Sequence, residues 1–258
     1  MRIALTIAGS DSGGGAGIQA DLKTFHRFGV FGTSVITAIT AQNTLGVANW
    51  LAVPTELITQ QIDAVAGDLR PAATKTGMLA DADVVRTVRD GIVKHSLFPY
   101  VLDPVMVATS GDPLLAPDAV RAIANDLIPL ADLVTPNLDE ARILAGFEVD
   151  DVDAMQRAAR TLVEGGAKAA LVKGGHLSGI EAIDVLATAE GVHVFRHPRI
   201  DTRHTHGTGC TLSSAITAHL ALGRSLLEAV QISLDFVHRA IQKAPGLGAG
   251  NGPLNHFV

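Results

Sequence analysis

The chain has 258 residues, which suffices for one sizeable α/β domain, and 47% of them are hydrophobic, enough to fill a core. Charged residues make up 18% and the formal net charge is −6, which argues against nucleic acid as a partner. The single cysteine excludes an internal disulfide framework, the N-terminal apolar stretch is too short for a signal peptide, and no apolar run reaches the roughly 18 residues of a membrane span. We therefore expect a soluble, cytoplasmic protein.

Short β-rich segments alternate with segments of helical period along the whole chain. The pattern predicts strands at residues 3–7, 34–39, 74–77, 100–102, 132–135 and 169–173, and a hairpin at 182–187 and 192–197. It predicts helices at 16–28, 56–69, 83–94, 118–128, 154–164, 210–222 and 226–243. Such alternation is typical of a mostly parallel sheet with helices on both faces, and no linker divides it, so one domain over residues 1–258 is predicted.

Ligands of such sheets bind beyond the carboxyl ends of the strands, which directs attention to the segment after each strand. The first strand is followed by a glycine-rich segment, residues 9–17. This segment resembles a dinucleotide-binding fingerprint, but the spacing of its glycines is loose and no acidic residue ends the second strand. The alternatives to dinucleotide binding are a tight strand-to-helix turn and a loop that closes over a small substrate. Asp21, on the next helix, is predicted to lie near this mouth as a substrate-binding residue, with a solvated helix face as the alternative.

Two further strands end in residues suited to a flat ring. Gln42 and Asn43 follow the second strand, and their amides offer donors and acceptors to a heteroaromatic edge such as a pyrimidine. Met78 follows the third strand and can pack on a ring face. A capped turn and ordinary core packing are the respective alternatives.

Acidic and amide side chains follow the next two strands. Asp103 ends the fourth strand, and Asn137 and Glu140 open the helix after the fifth, three residues apart on one helix face. Together they suit a Mg²⁺ ion bound through its waters. The alternative is that Asn137 and Glu140 only form a helix capping box.

Lys173 leaves the sixth strand beside Gly174 and Gly175, where a compact cation next to open backbone suits a phosphate. A surface lysine is the alternative. The chain has no Gly-x-x-x-x-Gly-Lys-Ser/Thr motif, which excludes a P-loop enzyme.

The most informative stretch is Gly207-Thr208-Gly209-Cys210-Thr211, which leads directly into a predicted helix. A helix beginning here presents unpaired N–H groups and the positive end of its dipole, and the two glycines admit an anion. Cys210, at this helix terminus, is expected to have a lowered thiol pKa. A plain turn with a buried cysteine is the alternative. With the cation and the magnesium cluster, this stretch points to phosphoryl transfer.

The same segments carry a resemblance to a known family. They are Ala8–Asp11, Gly14–Thr24, Ala41–Thr44, Lys75–Leu79, Leu102–Met106, Ser110–Leu115, Thr135–Ala141, Val172–His176 and Thr205–Ser213. In this order the chain resembles the ribokinase-like superfamily and, more closely, the bacterial hydroxymethylpyrimidine/phosphomethylpyrimidine kinases of thiamine biosynthesis. Where the family often has Ser before Gly14, this chain has Gly13.

The resemblance implies an ATP- and Mg²⁺-dependent kinase that phosphorylates 4-amino-5-hydroxymethyl-2-methylpyrimidine and then its monophosphate, and it implies a homodimer. By the resemblance, Gly9, Gln42 and Met78 contact the pyrimidine, Lys173, Thr208 and Asn137 contact ATP, and Asn137, Glu140 and, more weakly, Asp103 organise Mg²⁺. Gly207 and Gly209 form the anion hole. Cys210 stands where most ribokinase-like enzymes have an aspartate base, so the resemblance implies that Cys210 deprotonates the acceptor hydroxyl, and a part in the anion hole alone is the alternative.

Three other functions remain open at this point. A pyridoxal kinase of the same subgroup would also phosphorylate a hydroxymethyl group on a flat ring. A vitamin-binding protein with a retired active site and a dinucleotide-dependent oxidoreductase are the more distant alternatives. Residues 13–17 and 110–115 are the predicted mobile loops.

Overall fold

The computed structural model describes residues 1–106, 117–175 and 179–258. In these ranges the chain forms one sheet, whose strands are β1 (Ile3–Asp11), β2 (Phe31–Asn43), β3 (Gly46–Ala52), β4 (Ala73–Thr76), β5 (Tyr100–Leu102), β6 (Leu133–Val134), β7 (Ala169–Lys173), β8 (Glu181–Thr188) and β9 (Gly191–Pro198). Their spatial order is β3-β2-β1-β4-β5-β6-β7-β8-β9. The strands from β2 to β7 along this order pair in parallel, and β3, β8 and β9 are antiparallel. The prediction of a mostly parallel sheet is confirmed.

Helices cover both faces of the sheet, as the alternating sequence predicts. They are α1 (Gly17–Arg27), α2 (Thr55–Asp68), α3 (Ala82–His95), α4 (Pro117–Ala122), α5 (Leu138–Ala145), α6 (Val152–Glu164), α7 (Thr208–Ala221) and α8 (Leu226–Gln242). Helices α2 to α6 pack on one face around the largest apolar cluster, and α1, α7 and α8 pack on the other. The carboxyl ends of the parallel strands therefore meet at one edge, with α7 beginning above them.

The second strand is longer than predicted. It continues from residue 39 to Asn43, because β3, which the sequence analysis missed, pairs with it antiparallel in the register Ile39↔Leu51. Gly46 at the turn has φ +155°, a backbone conformation that side chains rarely adopt. This pairing makes a two-stranded arm that carries Gln42 beyond the rest of the sheet.

The predicted helix at 118–128 is interrupted. Helix α4 ends at Ala122, a π-helical turn spans Ile123–Leu127, and a 3₁₀ turn spans Ile128–Leu130. Pro129 has no N–H to continue an α-helix, which explains the tightening at this end. The predicted loop at 110–115 and His176 lie outside the described residues.

The last residues of the chain pack on the arm and on the start of α7. The Asn251 N–H donates to the Thr44 carbonyl at 2.8 Å, and the His206 N–H donates to the Gly252 carbonyl at 3.1 Å. A Cβ on Gly250 would overlap the Thr44 carbonyl, so this contact requires glycine. In the part of the chain that the structure describes, no helix is long and apolar enough to cross a bilayer.

Candidate active site

One cavity of about 520 Å³ opens at the carboxyl edge of the sheet. It lies where parallel α/β sheets bind ligands. Nearly all the predicted site residues line it: Gly9, Gln42, Met78, Asp103, Asn137, Glu140, Lys173, Gly207, Thr208, Gly209 and Cys210. Residues that are as far apart in sequence as Gly9 and Cys210 are thus brought to one site.

Helix α7 begins at Thr208, two residues before the predicted start. Gly207 precedes it with φ +82°, and a Cβ there would overlap the Gly15 carbonyl oxygen, so the close approach of the two loops requires glycine. The Thr208 hydroxyl donates to the Thr205 carbonyl at 2.7 Å and fixes the turn. The first N–H groups of α7 have no acceptor within the helix and form a site for an anion.

A lysine and an aspartate face this helix terminus. Lys173 Nζ lies 3.1 Å from Asp103 Oδ1, and a Cβ on Gly209 would be 3.1 Å from the same nitrogen. Burial opposes the charge on Lys173, but the Asp103 and Glu140 carboxylates outweigh it, so the pKa of Lys173 is raised. The cavity therefore holds a charged ammonium beside open backbone, as phosphate binding needs.

The Asp103 carboxylate is held from several sides. Its Oδ1 also accepts from the Thr135 hydroxyl at 3.2 Å, and its Oδ2 accepts from the Ser213 hydroxyl at 3.2 Å. Burial works to raise its pKa, but Lys173 and Lys75 outweigh that effect, and the pKa of Asp103 is lowered. Asp103 therefore stays ionised and positions Lys173.

Asn137 and Glu140 form the capping box of α5. The Glu140 N–H donates to Asn137 Oδ1 at 2.9 Å, and the Asn137 N–H donates to Glu140 Oε2 at 2.8 Å. Burial, with a smaller contribution from Asp103, raises the pKa of Glu140 to about 7, against the lowering effect of Lys173. Glu140 can therefore gain or lose a proton near neutral pH.

These oxygens fit a magnesium ion only in an outer position. Among the described residues, no group of three or more His, Cys, Asp or Glu side chains could enclose a metal. Both Glu140 oxygens and Asn137 Oδ1 already accept backbone N–H groups, at 2.8 to 3.4 Å. Because Mg²⁺ keeps several waters and takes phosphate oxygens as ligands, this donor set suits it through water.

The glycine-rich loop is organised by Asp11, which the sequence analysis did not single out. Its carboxylate accepts the N–H groups of Gly13, Gly15 and Ala16 at 2.7 to 3.0 Å, and Oδ2 lies 2.9 Å from His206 Nε2. Asp11 thereby joins the loop to the residue before Gly207. An aspartate two residues before a run of glycines is a recognisable signal, because its carboxylate can accept the backbone N–H two positions later and cap the loop.

Gly9 and Met78 form an apolar wall, since a Cβ on Gly9 would be 3.2 Å from the Met78 sulfur. Gln42, on the arm, accepts from the Thr40 hydroxyl through its side-chain Oε1 at 3.2 Å, and its backbone N–H donates to Ser12 Oγ at 2.8 Å. The wall and the amide offer a flat slot with a polar edge.

Asp21 does not lie at the cavity mouth, and this prediction is wrong. Its side chain is 0% exposed, forms an ion pair with Lys75 at 3.1 Å, and accepts from the hydroxyls of Thr6 and Ser214, both at 2.6 Å. The helical period places Asp21 on the inner face of α1, where a carboxylate is stable only with such partners.

Cys210 is half-buried in the cavity, and the expected lowering of its pKa is also wrong. Burial raises the pKa of the thiol to about 12, more than the nearby Lys75 ammonium and the N–H of Gly17 lower it. The prediction considered only the helix dipole and left out desolvation, which disfavours the charged thiolate. The resting side chain is a thiol at neutral pH.

Comparison with known proteins agrees with this geometry. The family profile described as phosphomethylpyrimidine kinase matches residues 11–255. The chain belongs to the phosphomethylpyrimidine kinase family. The resemblance noted in the sequence is thereby confirmed.

Individual relatives within the phosphomethylpyrimidine kinase family are similar over nearly their whole length. The chain is 52% identical to a hydroxymethylpyrimidine/phosphomethylpyrimidine kinase of Rhizobium meliloti (strain 1021), covering 99% of this chain and 97% of that protein. It is 48% identical to the protein of the same name from Bacillus subtilis (strain 168), covering 99% and 94%.

Solved structures share the fold. A phosphomethylpyrimidine kinase from Clostridium difficile 630 superposes with a TM-score of 0.84 at 44% identity, covering 93% of this chain and 100% of that one. An ADP complex of Bacillus subtilis pyridoxal kinase superposes with a TM-score of 0.93 at 39% identity, covering 99% and 97%. The predicted ribokinase-like α/β fold is confirmed, and so is the kinase class.

Proposed function

We propose that this chain transfers the terminal phosphoryl group of ATP to 4-amino-5-hydroxymethyl-2-methylpyrimidine, and then to the resulting monophosphate, in thiamine biosynthesis. The observation that carries the proposal is the meeting of Lys173, Gly209 and the first turn of α7 in the cavity that Gln42 and Met78 also line. A cation, a helix terminus and a flat slot are what this transfer requires.

In this reaction the hydroxymethyl oxygen attacks the γ-phosphorus of ATP. The new O–P bond forms as the bond to the β–γ bridging oxygen breaks, and ADP leaves with that electron pair. Lys173 neutralises the triphosphate, and the N–H groups at Gly209 and Cys210 hold the transferred oxygens in their most charged state. Thr208 and Gly207 fix the turn that aims these groups.

The hydroxyl proton needs an acceptor, and we assign it to Cys210. A thiol with a pKa of about 12 is a base only in its minor, thiolate form at neutral pH. Positioning supplies most of the catalysis in phosphoryl transfer, so a small thiolate population still increases the rate. Turnover that rises with pH is the signature of this role.

Magnesium ion is expected with ATP. Glu140 and Asn137 would hold its waters, and the ion would neutralise phosphate charge. Asp103 contributes through Lys173, whose ammonium it positions at 3.1 Å.

The second candidate is pyridoxal phosphorylation. It is supported by the TM-score of 0.93 to a pyridoxal kinase. Pyridoxal also presents a hydroxymethyl group on a flat ring, which Gly9 and Met78 would accept equally. Gln42 favours the pyrimidine, because its amide can match the adjacent donor and acceptor of the aminopyrimidine edge.

The deciding experiment is coupled ADP release with ATP and Mg²⁺, using hydroxymethylpyrimidine, its monophosphate and pyridoxal as acceptors. We expect turnover of both pyrimidines and a weak signal with pyridoxal. Gln42→Met should lower kcat/KM for the pyrimidine more than for pyridoxal, and Asn43→Ala is the matched control on the same arm. Turnover of pyridoxal alone would reject the pyrimidine assignment.

We further propose a homodimer of single kinase domains, each comprising residues 1–258, that acts in the cytoplasm. An exposed cross-strand pair on the arm, Ile39 at 55% and Leu51 at 71%, supplies an apolar surface for a second copy. The free thiol of Cys210 in the cavity suits a reducing compartment. Sedimentation should give twice the 26.8 kDa chain mass, and Leu51→Lys should shift it toward monomer.

A further inference from the structure

A second lysine–aspartate pair lies beneath the floor of the cavity. Lys75 Nζ is 3.1 Å from Asp21 Oδ1 and 3.2 Å from Oδ2, and both side chains are fully buried. The strand β4 carries Lys75, and Thr6 on the neighbouring strand β1 shares its register and donates to Asp21. The proposed transfer reaction assigns this buried pair no task.

The pair is connected to Cys210 through two helical turns. Ser214, which donates to Asp21, lies one turn after Cys210 on α7. Gly17, whose N–H donates to the Cys210 sulfur, lies one turn before Asp21 on α1. Residues four apart share a helix face, so the pair occupies the layer directly below Cys210.

The ammonium of Lys75 reaches toward the cavity. A Cβ on Gly77 would be 3.4 Å from Lys75 Nζ, and Gly77 lines the cavity. An ammonium carries three N–H donors, and Asp21 is its one hydrogen-bonding residue in the part of the chain that the structure describes. One N–H of Lys75 therefore remains without an acceptor among the described residues.

Four charged groups act on Cys210 from the elements around it. The Lys75 ammonium on β4 lowers the pKa of the thiol, and the carboxylates of Asp21 on α1 and Asp103 after β5 each raise it by less than Lys75 lowers it. Lys173 on β7 also interacts with Cys210, which raises the pKa of the lysine. The Lys75–Asp21 pair therefore has a net positive effect at the sulfur.

We propose that Lys75, fixed by Asp21, is a positioning residue that stabilises the thiolate of Cys210 and so makes it available to accept the proton of the substrate hydroxyl. The thiol loses its proton to solvent, and the thiolate then takes the hydroxyl proton as the O–P bond forms. The consequence for turnover rests on the proposed function, but the ionisation of Cys210 does not.

The test uses the fact that Cys210 is the single cysteine of the chain. The rates of its alkylation by iodoacetamide and by the larger N-ethylmaleimide, followed from pH 7 to pH 11 by the mass of the peptide that contains Cys210, report the thiolate of this residue alone. Because the thiol pKa of about 12 lies above this range, a change in ionisation changes both rates by the same factor, whereas a change in access changes them by different factors, and unequal factors overturn the proposal. No ATP or acceptor is present, so failure of the kinase assignment leaves the result unaffected.

The main variant is the double substitution Lys75→Met with Asp21→Asn, which removes both charges and leaves no buried charge unpaired. We expect its alkylation curve to move to higher pH, with a rate about three- to tenfold lower at pH 8, since one pKa unit is a factor of ten. The control is Thr76→Val, which removes the 2.7 Å hydrogen bond to Tyr100 on the opposite sheet face. It should leave the curve in place.

A milder variant covers the case in which the double variant does not fold. Thr6→Val removes one donor to Asp21 and keeps both charges and a β-branched side chain. The less neutralised carboxylate then offsets more of the Lys75 charge at Cys210, so we expect alkylation about twofold slower at pH 8. An unshifted curve in the double variant, or an unchanged or faster rate in Thr6→Val if only that variant folds, overturns the proposal.

Discussion

The two lysine–aspartate pairs beside helix α7 have the same chemistry but different surroundings. Lys173 and Asp103 are 14% and 2% exposed at the cavity, whereas Lys75 and Asp21 are both 0% exposed beneath it. Neighbouring serines of α7 donate hydrogen bonds to the two aspartates, Ser213 to Asp103 and Ser214 to Asp21. Solvent access therefore separates Lys173, which can contact a phosphate, from Lys75, which acts only through its electrostatic effect.

The largest expected effect tests the fully buried Lys75–Asp21 pair. Lys75→Met leaves the Asp21 carboxylate buried without its counter-ion, which should lower the free energy of unfolding by about 3–5 kcal/mol. Urea denaturation measures this, and adding Asp21→Asn should restore most of the loss. The comparison fails if Lys75→Met destabilises the protein less than Lys173→Met.

A substitution in the Lys173–Asp103 pair, at the cavity, should instead lower the activity. Lys173→Met removes the cation from the phosphate site, and kcat/KM for ATP should fall by about 10²–10³, as when one preorganised charge-stabilising donor is lost. Its melting temperature should change less than that of Lys75→Met, because Lys173 is partly exposed. Coupled ADP release gives the rate, and a loss below threefold would contradict the role of Lys173.

Cys210 lies between the two pairs and should show a separate effect. Cys210→Ser should lower kcat by about 10², because an alcohol is a weaker base than a thiolate, while ATP binding is retained. Calorimetric titration with ATP checks the binding. Turnover that is unchanged in this variant, or flat in the wild type from pH 7 to pH 9, would remove Cys210 as the proton acceptor.

The last effect is on the pH dependence of stability and concerns Glu140, beside the Lys173–Asp103 pair. Its pKa is raised to about 7 in the folded protein, so the folded state holds this proton more tightly than the unfolded chain, and stability falls as pH rises from about 4.5 to 7. Glu140→Gln removes that dependence and can keep the capping box. Relative to wild type, the variant should gain about 3 kcal/mol between pH 4.5 and pH 8. Equal pH dependence in both proteins would be the contrary result.

Much of the fold and of the cavity lining could be predicted because the signals are local. Strand and helix periods, and the polar residues that follow each strand, located Lys173, Asn137 and the start of α7 to within a few residues. What could not be predicted depends on distant partners. Strand β3 is stable through its pairing with β2, and Asp21 meets Lys75 across 54 positions of sequence.

The degree of burial of each titratable side chain could not be predicted from the sequence either. A helix terminus predicts a more acidic thiol, yet the surroundings of Cys210 outweigh the terminus and raise its pKa to about 12. The same holds for Glu140, whose capping role was visible as a spacing but whose proton affinity was not. Desolvation depends on how completely other segments cover a group.

The contacts of residues 250–252 bear on the order in which the protein folds. Gly250 and Asn251 bond to Thr44, at the tip of the arm that carries Gln42, across more than 200 residues of chain, whereas Gly252 bonds to His206, beside the start of α7, across 46 residues. Closing the longer loop costs more chain entropy, so we expect the contacts to Thr44 to form after most of the sheet. The arm side of the cavity is then completed late in folding.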